Sequence, residues 1–218
     1  MTTFRDVKCK CAVCGSVNQY PVLMSTNAFG SADLDLRPPE MRRSTMYLWV
    51  QECPKCGYVS ADIEEKSRIS RSYLMSDEYH SCEGKAFKSS LARTFYRQYL
   101  ICRQTKNTED AFFAVLHAAW ACDDRLDKKN AAACREIGIS LISQLLGNSS
   151  QNENRDTMLL LKADLLRRTG HFDTLIAEYE NVRFSEEIMN RILQFQLQKA
   201  AEKDTGCYTV ADAVKDEA

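Results

Sequence analysis

Hydrophobic and polar positions follow two different rhythms along the chain. In the first sixty or so residues, apolar side chains come in short β-branched or aromatic runs. Val17 to Ser25 and Met46 to Glu52 (MYLWVQE) predict strands. From about Glu83 the spacing turns helical. Leu91, Phe95, Tyr99 and Cys102 recur at i, i+4, i+8 and i+11, one face of a helix. Thr108 is placed to cap a second helix that carries Phe112, Val115, Leu116 and Ala119 inward, with Glu109 and Asp110 in its first turn, where the helix dipole favours acids. A third spans about Lys128 to Leu146, with Cys134, Ile137, Leu141 and Leu145 at helical spacing, and stops at Gly147-Asn148. The polar run Asn148 to Asn154 reads as a loop. A last helix, capped by Ser185 with Glu186 and Glu187 behind it, runs to about Lys203, and Asp204 to Ala218 reads as a frayed tail.

Proline placement sharpens this division. All four prolines (Pro21, Pro38, Pro39 and Pro54) lie in the first quarter of the 218 residues. Proline breaks helix interiors and central strands alike, so its absence beyond Pro54, in a stretch rich in Ala, Leu, Gln, Glu, Arg and Lys, favours helix. The expected class is α+β: a small β head over residues 1–62, an all-α antiparallel helical body over 63–203, and a tail over 204–218. With 44% hydrophobic residues and a formal net charge of −1, the chain is neither disordered nor broadly polyanion-binding. No apolar run reaches the roughly 18 residues of a membrane span. The first ten residues lack an apolar signal core, so a cytoplasmic protein is expected.

Cysteine carries the clearest chemistry. Five of the ten cysteines (Cys9, Cys11, Cys14, Cys53 and Cys56) cluster within the first 56 residues. Cys11-Ala-Val-Cys14-Gly15 and Cys53-Pro54-Lys55-Cys56-Gly57 are two CxxC pairs, each followed by glycine. Two intervening residues let both thiolates face one ion, and a glycine at positive φ brings backbone N–H groups toward the sulfurs. Four thiolates in tetrahedral geometry suit Zn²⁺ and leave no position for water or substrate, so one structural ion is expected. Iron takes the same ligands, and the aromatic approach to CPKCG resembles a rubredoxin site. Cys9 supplies a rival set, CxC…CxxC through Cys9, Cys11, Cys53 and Cys56, similar to the zinc centre of redox-regulated chaperones. The Cys14-Gly15 knuckle is the better fit.

The spacer between Cys14 and Cys53 is long for a compact ribbon, where about 15–20 residues are usual. In its middle, Pro38 and Pro39 favour an extended segment that lines up Asp33, Asp35 and Arg37, with Arg42 and Arg43 following. A long loop on a metal-stiffened head is a natural place for binding residues, so these five are candidate partner contacts, against the plainer reading of a solvated loop. His117, among Leu116, Ala118 and Trp120, reads as a packed core histidine. The motifs GxSxG, P-loop, GxGxxG and HExxH are absent from the sequence. Nine Lys or Arg in residues 66–106, with Tyr73, Tyr79, Phe95, Tyr96 and Tyr99 interleaved, suggest either a solvated face or nucleic-acid contact.

Within the body, Leu159 to Val182 resembles the helix–turn–helix of a tetratricopeptide repeat. Gly170 stands at the turn, Phe172 and Tyr179 at the aromatic positions and Ala163 at the small one, while Lys162 and Leu175 depart from the pattern. With Cys11, Cys14, Trp49, Cys53, Pro54, Cys56, Gly57 and Tyr58, the whole resembles a bacterial zinc-ribbon family that joins CxxCG and CPxCGY knuckles to a tetratricopeptide-like region. The resemblance implies a cytoplasmic metal-binding protein and no catalytic residue. The function expected is a non-enzymatic adaptor for a protein or peptide. The alternatives are a nucleic-acid binder using Arg37, Arg42, Arg43 and the basic run, a thiol redox sensor centred on Cys9, Cys11 and Cys14, or an enzyme whose pocket the fold alone does not reveal.

Overall fold

A computed structural model describes residues 1–81, 86–148 and 154–215. The polar run expected as a loop lies, over 149–153, outside the described residues. The chain forms two compact units that are interleaved in sequence: unit 1 takes residues 1–28 and 40–134, and unit 2 takes 29–39 and 135–218.

Unit 1 opens with strand β1 (Thr3–Lys10) paired antiparallel to β2 (Val17–Ser25), in a register that sets Cys9 opposite Asn18 and Lys10 opposite Val17. The first CxxC is the turn of this hairpin. Short strands β3 (Ala28–Phe29) and β4 (Glu40–Met41) follow. The predicted strand Met46 to Glu52 is instead a 3₁₀-helix (Arg43–Leu48) and only two strand residues, β5 (Gln51–Glu52), which pair with β6 (Val59–Ser60) across the second CxxC. Thr45 and Leu48, three apart as in a 3₁₀ turn, are both buried together with Met46, while Tyr47 is exposed, so tertiary burial overrides β propensity.

Two single-turn helices, α1 (Arg71–Leu74) and α2 (Asp77–His80), are capped by Ser70 and Ser76. Helix α3 (Ser90–Gln104) then buries Ala92, Phe95, Tyr96, Tyr99, Leu100 and Ile101. It starts at the Ser89 cap; Glu83, near which the helical spacing begins, lies outside the described residues. Helix α4 (Thr108–Asp123) is capped by Asn107, one residue before the predicted Thr108. It packs along α3, and Phe95, Phe112, Val115, Ala118 and Ala119 are fully buried. The short link 105–107 makes the pair a helical hairpin. The head and the α3–α4 hairpin thus share one unit, where the composition had suggested a boundary near residue 62.

Helix α5 (Lys128–Asn148) runs from the end of unit 1 into unit 2. Within unit 2, α6 (Arg155–Arg168) and α7 (Phe172–Tyr179) are separated by Gly170 at φ 84°, the left-handed turn that glycine accommodates without steric cost. With α8 (Glu187–Ala201) they enclose a core of Leu160, Ala163, Leu166, Leu175, Tyr179, Phe184 and Leu193. Lys162 and Leu175, the two departures from the repeat pattern, have local uses: Lys162 reaches Glu178 at 2.7 Å and Leu175 is fully buried. No serine caps α8; Glu186 occupies the cap position without a side-chain bond.

The segment after 203 is ordered rather than frayed. Helix α9 (Val210–Val214) starts with a capping box between Thr209 and Asp212, and Thr209 bridges Asp33. Among the described residues no helix is long and apolar enough to cross a membrane.

Candidate metal centre

Each CxxC knuckle is closed by the same backbone bonds. Cys11 N–H donates to Ser16 O at 2.8 Å and Gly15 N–H to Cys11 O at 2.9 Å; Cys53 N–H donates to Tyr58 O at 2.8 Å and Gly57 N–H to Cys53 O at 2.9 Å. Gly15 at φ 73° and Gly57 at φ 70° take the left-handed conformation that turns each chain back under its sulfurs. The amides of Val13 and Cys14 donate to Cys11 Sγ, and those of Lys55 and Cys56 to Cys53 Sγ. The second cysteine of each pair receives one amide, from Ser16 for Cys14 and from Tyr58 for Cys56. Such donors stabilise thiolate and fix its direction.

The four sulfurs of Cys11, Cys14, Cys53 and Cys56 lie within 4.8 Å of one another. Cys11 Sγ is 3.8 Å from Cys56 Sγ, and Cys14 Sγ is 3.6 Å from Cys53 Sγ. A tetrahedron with metal–sulfur bonds of about 2.3 Å has edges of about 3.8 Å, so the quartet fits one metal ion of that size. All four are free thiols. Cys9 is buried, its Sγ 3.9 Å from Val7 O, and it does not join the group.

The sulfurs are electrically unequal. The Ser16 hydroxyl, 3.1 Å from Cys14 Sγ, brings the Cys14 thiol down to about 6. Burial pushes Cys53 up, but Ser16 and two backbone amides outweigh it and leave Cys53 lowered. Burial raises Cys11 and Cys56. Tyr79, fully buried, donates from its hydroxyl to Gly57 O at 2.5 Å and lies beneath the Arg97 guanidinium, which pairs with Glu52 at 2.5 Å. Ser16 is not singled out by the sequence, and Tyr79 reads there only as one of the aromatics interleaved with the basic run. Ser16 had a signal in its place just past the Cys14-Gly15 knuckle, whereas Tyr79 had none, being 22 residues beyond Gly57.

The candidate partner residues divide. Asp33, Asp35 and Arg37 are buried in unit 2, and the segment is a turn rather than extended, with Leu36 at φ 68° and Leu36 N–H donating to Asp33 O. Asp35 accepts from Arg168 at 2.8 Å and lies 3.8 Å from Arg135. Asp33 accepts from the Cys207 thiol at 3.5 Å. Arg42 is exposed and Arg43 half-buried. The interleaved aromatics of the basic run, Tyr73, Tyr79, Phe95, Tyr96 and Tyr99, are all buried, and Arg103 pairs with Glu78.

Within unit 1, a cleft of about 520 Å³ opens beside β6, along Gln98 and Ile101 of α3, Thr105 just after it, and Asp110, Phe113 and His117 of α4. His117 is half-buried, its ring 5.4 Å from Trp49 and 4.9 Å from Trp120. No family model, no curated protein and no solved structure matches this chain.

Proposed function

We propose that the chain is a zinc-ribbon protein in which one Zn²⁺, held by Cys11, Cys14, Cys53 and Cys56, is structural, and that it serves as a non-enzymatic adaptor for a protein or peptide. The observation that carries the metal reading is the quartet of sulfurs at tetrahedral spacing with backbone amides aimed at them. Zinc suits this shell because four thiolates close it and the site needs no redox change. When bound, the ion supplies a cross-link between the two knuckles. That cross-link is needed locally, since β1 and β2 form a lone two-stranded hairpin with mostly exposed faces, and such hairpins are marginal alone.

The cleft along α3 and α4 supports the adaptor reading. It is within the size range of ligand sites, its lining aromatics Trp49 and Phe113 with His117 suit an apolar anchor side chain, and Glu65, Lys66 and Arg68, also in its lining, suit charged side chains flanking that anchor. Burial of the aromatics in the basic run removes the stacking surface that a nucleic-acid binder would use. Elemental analysis of purified protein tests the metal, with one zinc per chain expected and iron or no metal overturning it. Selection of displayed random peptides on the zinc-loaded protein tests the adaptor. Enriched peptides whose binding is lost in Phe113→Ala support it; no enrichment, or binding indifferent to the cleft, overturns it.

A further inference from the structure

The two knuckles present identical backbone donors to their sulfurs, yet they differ in the side chain two residues beyond the second cysteine. That residue is Ser16 in the first knuckle and Tyr58 in the second. Ser16 Oγ lies 3.1 Å from Cys14 Sγ and 3.2 Å from Cys53 Sγ, so one hydroxyl spans an edge between sulfurs from different knuckles. Asn18, the first turn-side residue of β2 after Val17, donates from Nδ2 to Ser16 Oγ at 3.1 Å. With that oxygen already accepting, its single proton is directed to sulfur. The opposite edge, Cys11 to Cys56, carries no such hydroxyl contact among the described residues.

We propose that Ser16, oriented by Asn18, is a positioning residue for the metal: its hydroxyl donates to the Cys14–Cys53 thiolate edge and ties the two knuckles across it. Four thiolates around a divalent cation leave a net negative site, and each hydrogen bond to sulfur relieves part of that charge. Backbone amides do this within each knuckle. Among the described residues Ser16 alone does it across the two, so its loss weakens the grip on the ion without removing a ligand. The inference rests on the metal reading above.

Cobalt(II) substitution tests it in the full chain, because sulfur-to-cobalt charge-transfer absorption reports the thiolates directly and competition with a chromophoric chelator gives affinity. Wild type is expected to take one cobalt with a tetrathiolate spectrum. Ser16→Ala is expected to keep that stoichiometry, shift the charge-transfer band and lose about 10- to 100-fold in affinity; Ser16→Thr, which keeps the hydroxyl, restores both. Asn18→Ala, which leaves the hydroxyl but frees its rotation, is expected to lose part of the affinity and serves if Ser16→Ala does not fold. Unchanged affinity and spectrum in Ser16→Ala, or in Asn18→Ala where only that variant folds, overturn the role of Ser16 and leave the metal reading standing. A wild-type chain that takes no cobalt or zinc overturns both.

Discussion

Arg168 and Asp35, 133 residues apart in the chain, meet at 2.8 Å in unit 2, with the Asp35 side chain fully buried and the Arg168 side chain 9% exposed. Arg135, also buried, stands 3.8 Å from the same Asp35 oxygen. Two guanidiniums therefore converge on one carboxylate from the segment 29–39. Removing one partner of a buried pair leaves an uncompensated charge, which costs far more than the intact pair contributes. Asp35→Ala is expected to destabilise the protein by about 3–5 kcal/mol, read as a lower urea midpoint. Arg168→Leu combined with Asp35→Leu should recover part of that loss. An Asp35→Ala midpoint equal to wild type would show the pairing to be incidental.

Metal removal should act on the head first. Chelation is expected to melt the β1–β2 hairpin and both knuckles, seen as loss of dispersed amide signals for residues 3–25 and 51–60. Ser substitution of Cys11, Cys14, Cys53 or Cys56 should abolish stoichiometric metal, while Cys9→Ser should keep it. Retention of full metal by Cys14→Ser together with its loss in Cys9→Ser would reassign the ligand set.

Arg167, fully buried on α6, holds the C-terminal segment. Its Nε donates to Gln196 at 3.0 Å, its Nη1 to Asp204 O and Gly206 O at 3.0 and 2.8 Å, and its Nη2 to Asp164 at 2.7 Å. Burial outweighs that guanidinium and pushes the Asp164 carboxyl up, so removing Arg167 strips it of the strongest of its three compensating guanidiniums and leaves the weaker Arg168 and Arg135. Arg167→Met is expected to release residues 204–215, read as fast amide exchange there with slow exchange kept in α3 and α4. Protection unchanged in the tail would count against the anchor.

Acid should loosen the same tail from its other end. Backbone and side-chain hydrogen bonds from Thr209, helped by Lys215, hold the Asp212 carboxyl down at about 2. A carboxyl lowered on folding contributes stability above its unfolded value of 3.8 and loses that contribution as pH falls through about 2. Protection of α9 amides relative to their intrinsic exchange rates is expected to fall between pH 4 and 2 in wild type and to be already low, with little change over that range, in Thr209→Ala, a cap loss of about 1 kcal/mol. Equal α9 protection in both proteins would remove the capping box from the account.

Local features were legible where the physics is local. The strand Val17 to Ser25, the α6–Gly170–α7 turn and the cysteine quartet all follow from side chains within a few positions of one another, or from a spacing that only one chemistry uses. Legibility failed where a residue's partner is remote. Asp33, Asp35 and Arg37 looked like an exposed binding segment because Arg135, Arg168 and Cys207 are about a hundred residues or more away. The tail from 204 looked frayed because its anchor, Arg167, sits on another helix. Met46 to Leu48 misled in another way: its buried–exposed–buried alternation is that of a strand, yet the chain there turns as a 3₁₀-helix that buries Thr45 and Leu48, three apart.

The interleaving of the two units bears on how the chain matures on the ribosome. Residues 29–39 leave the exit tunnel early, carrying carboxylates and a guanidinium suited only to an interior that does not yet exist. Their partners on α5 and α6, Arg135 and Arg168, emerge about a hundred residues or more later. Until then the segment has only water for its charges, and unit 2 cannot close on sequence-local contacts alone. The two-knuckled head that flanks this segment on both sides has all four of its clustered cysteines as soon as Cys56 is out, and so can hold the waiting strap by its two ends.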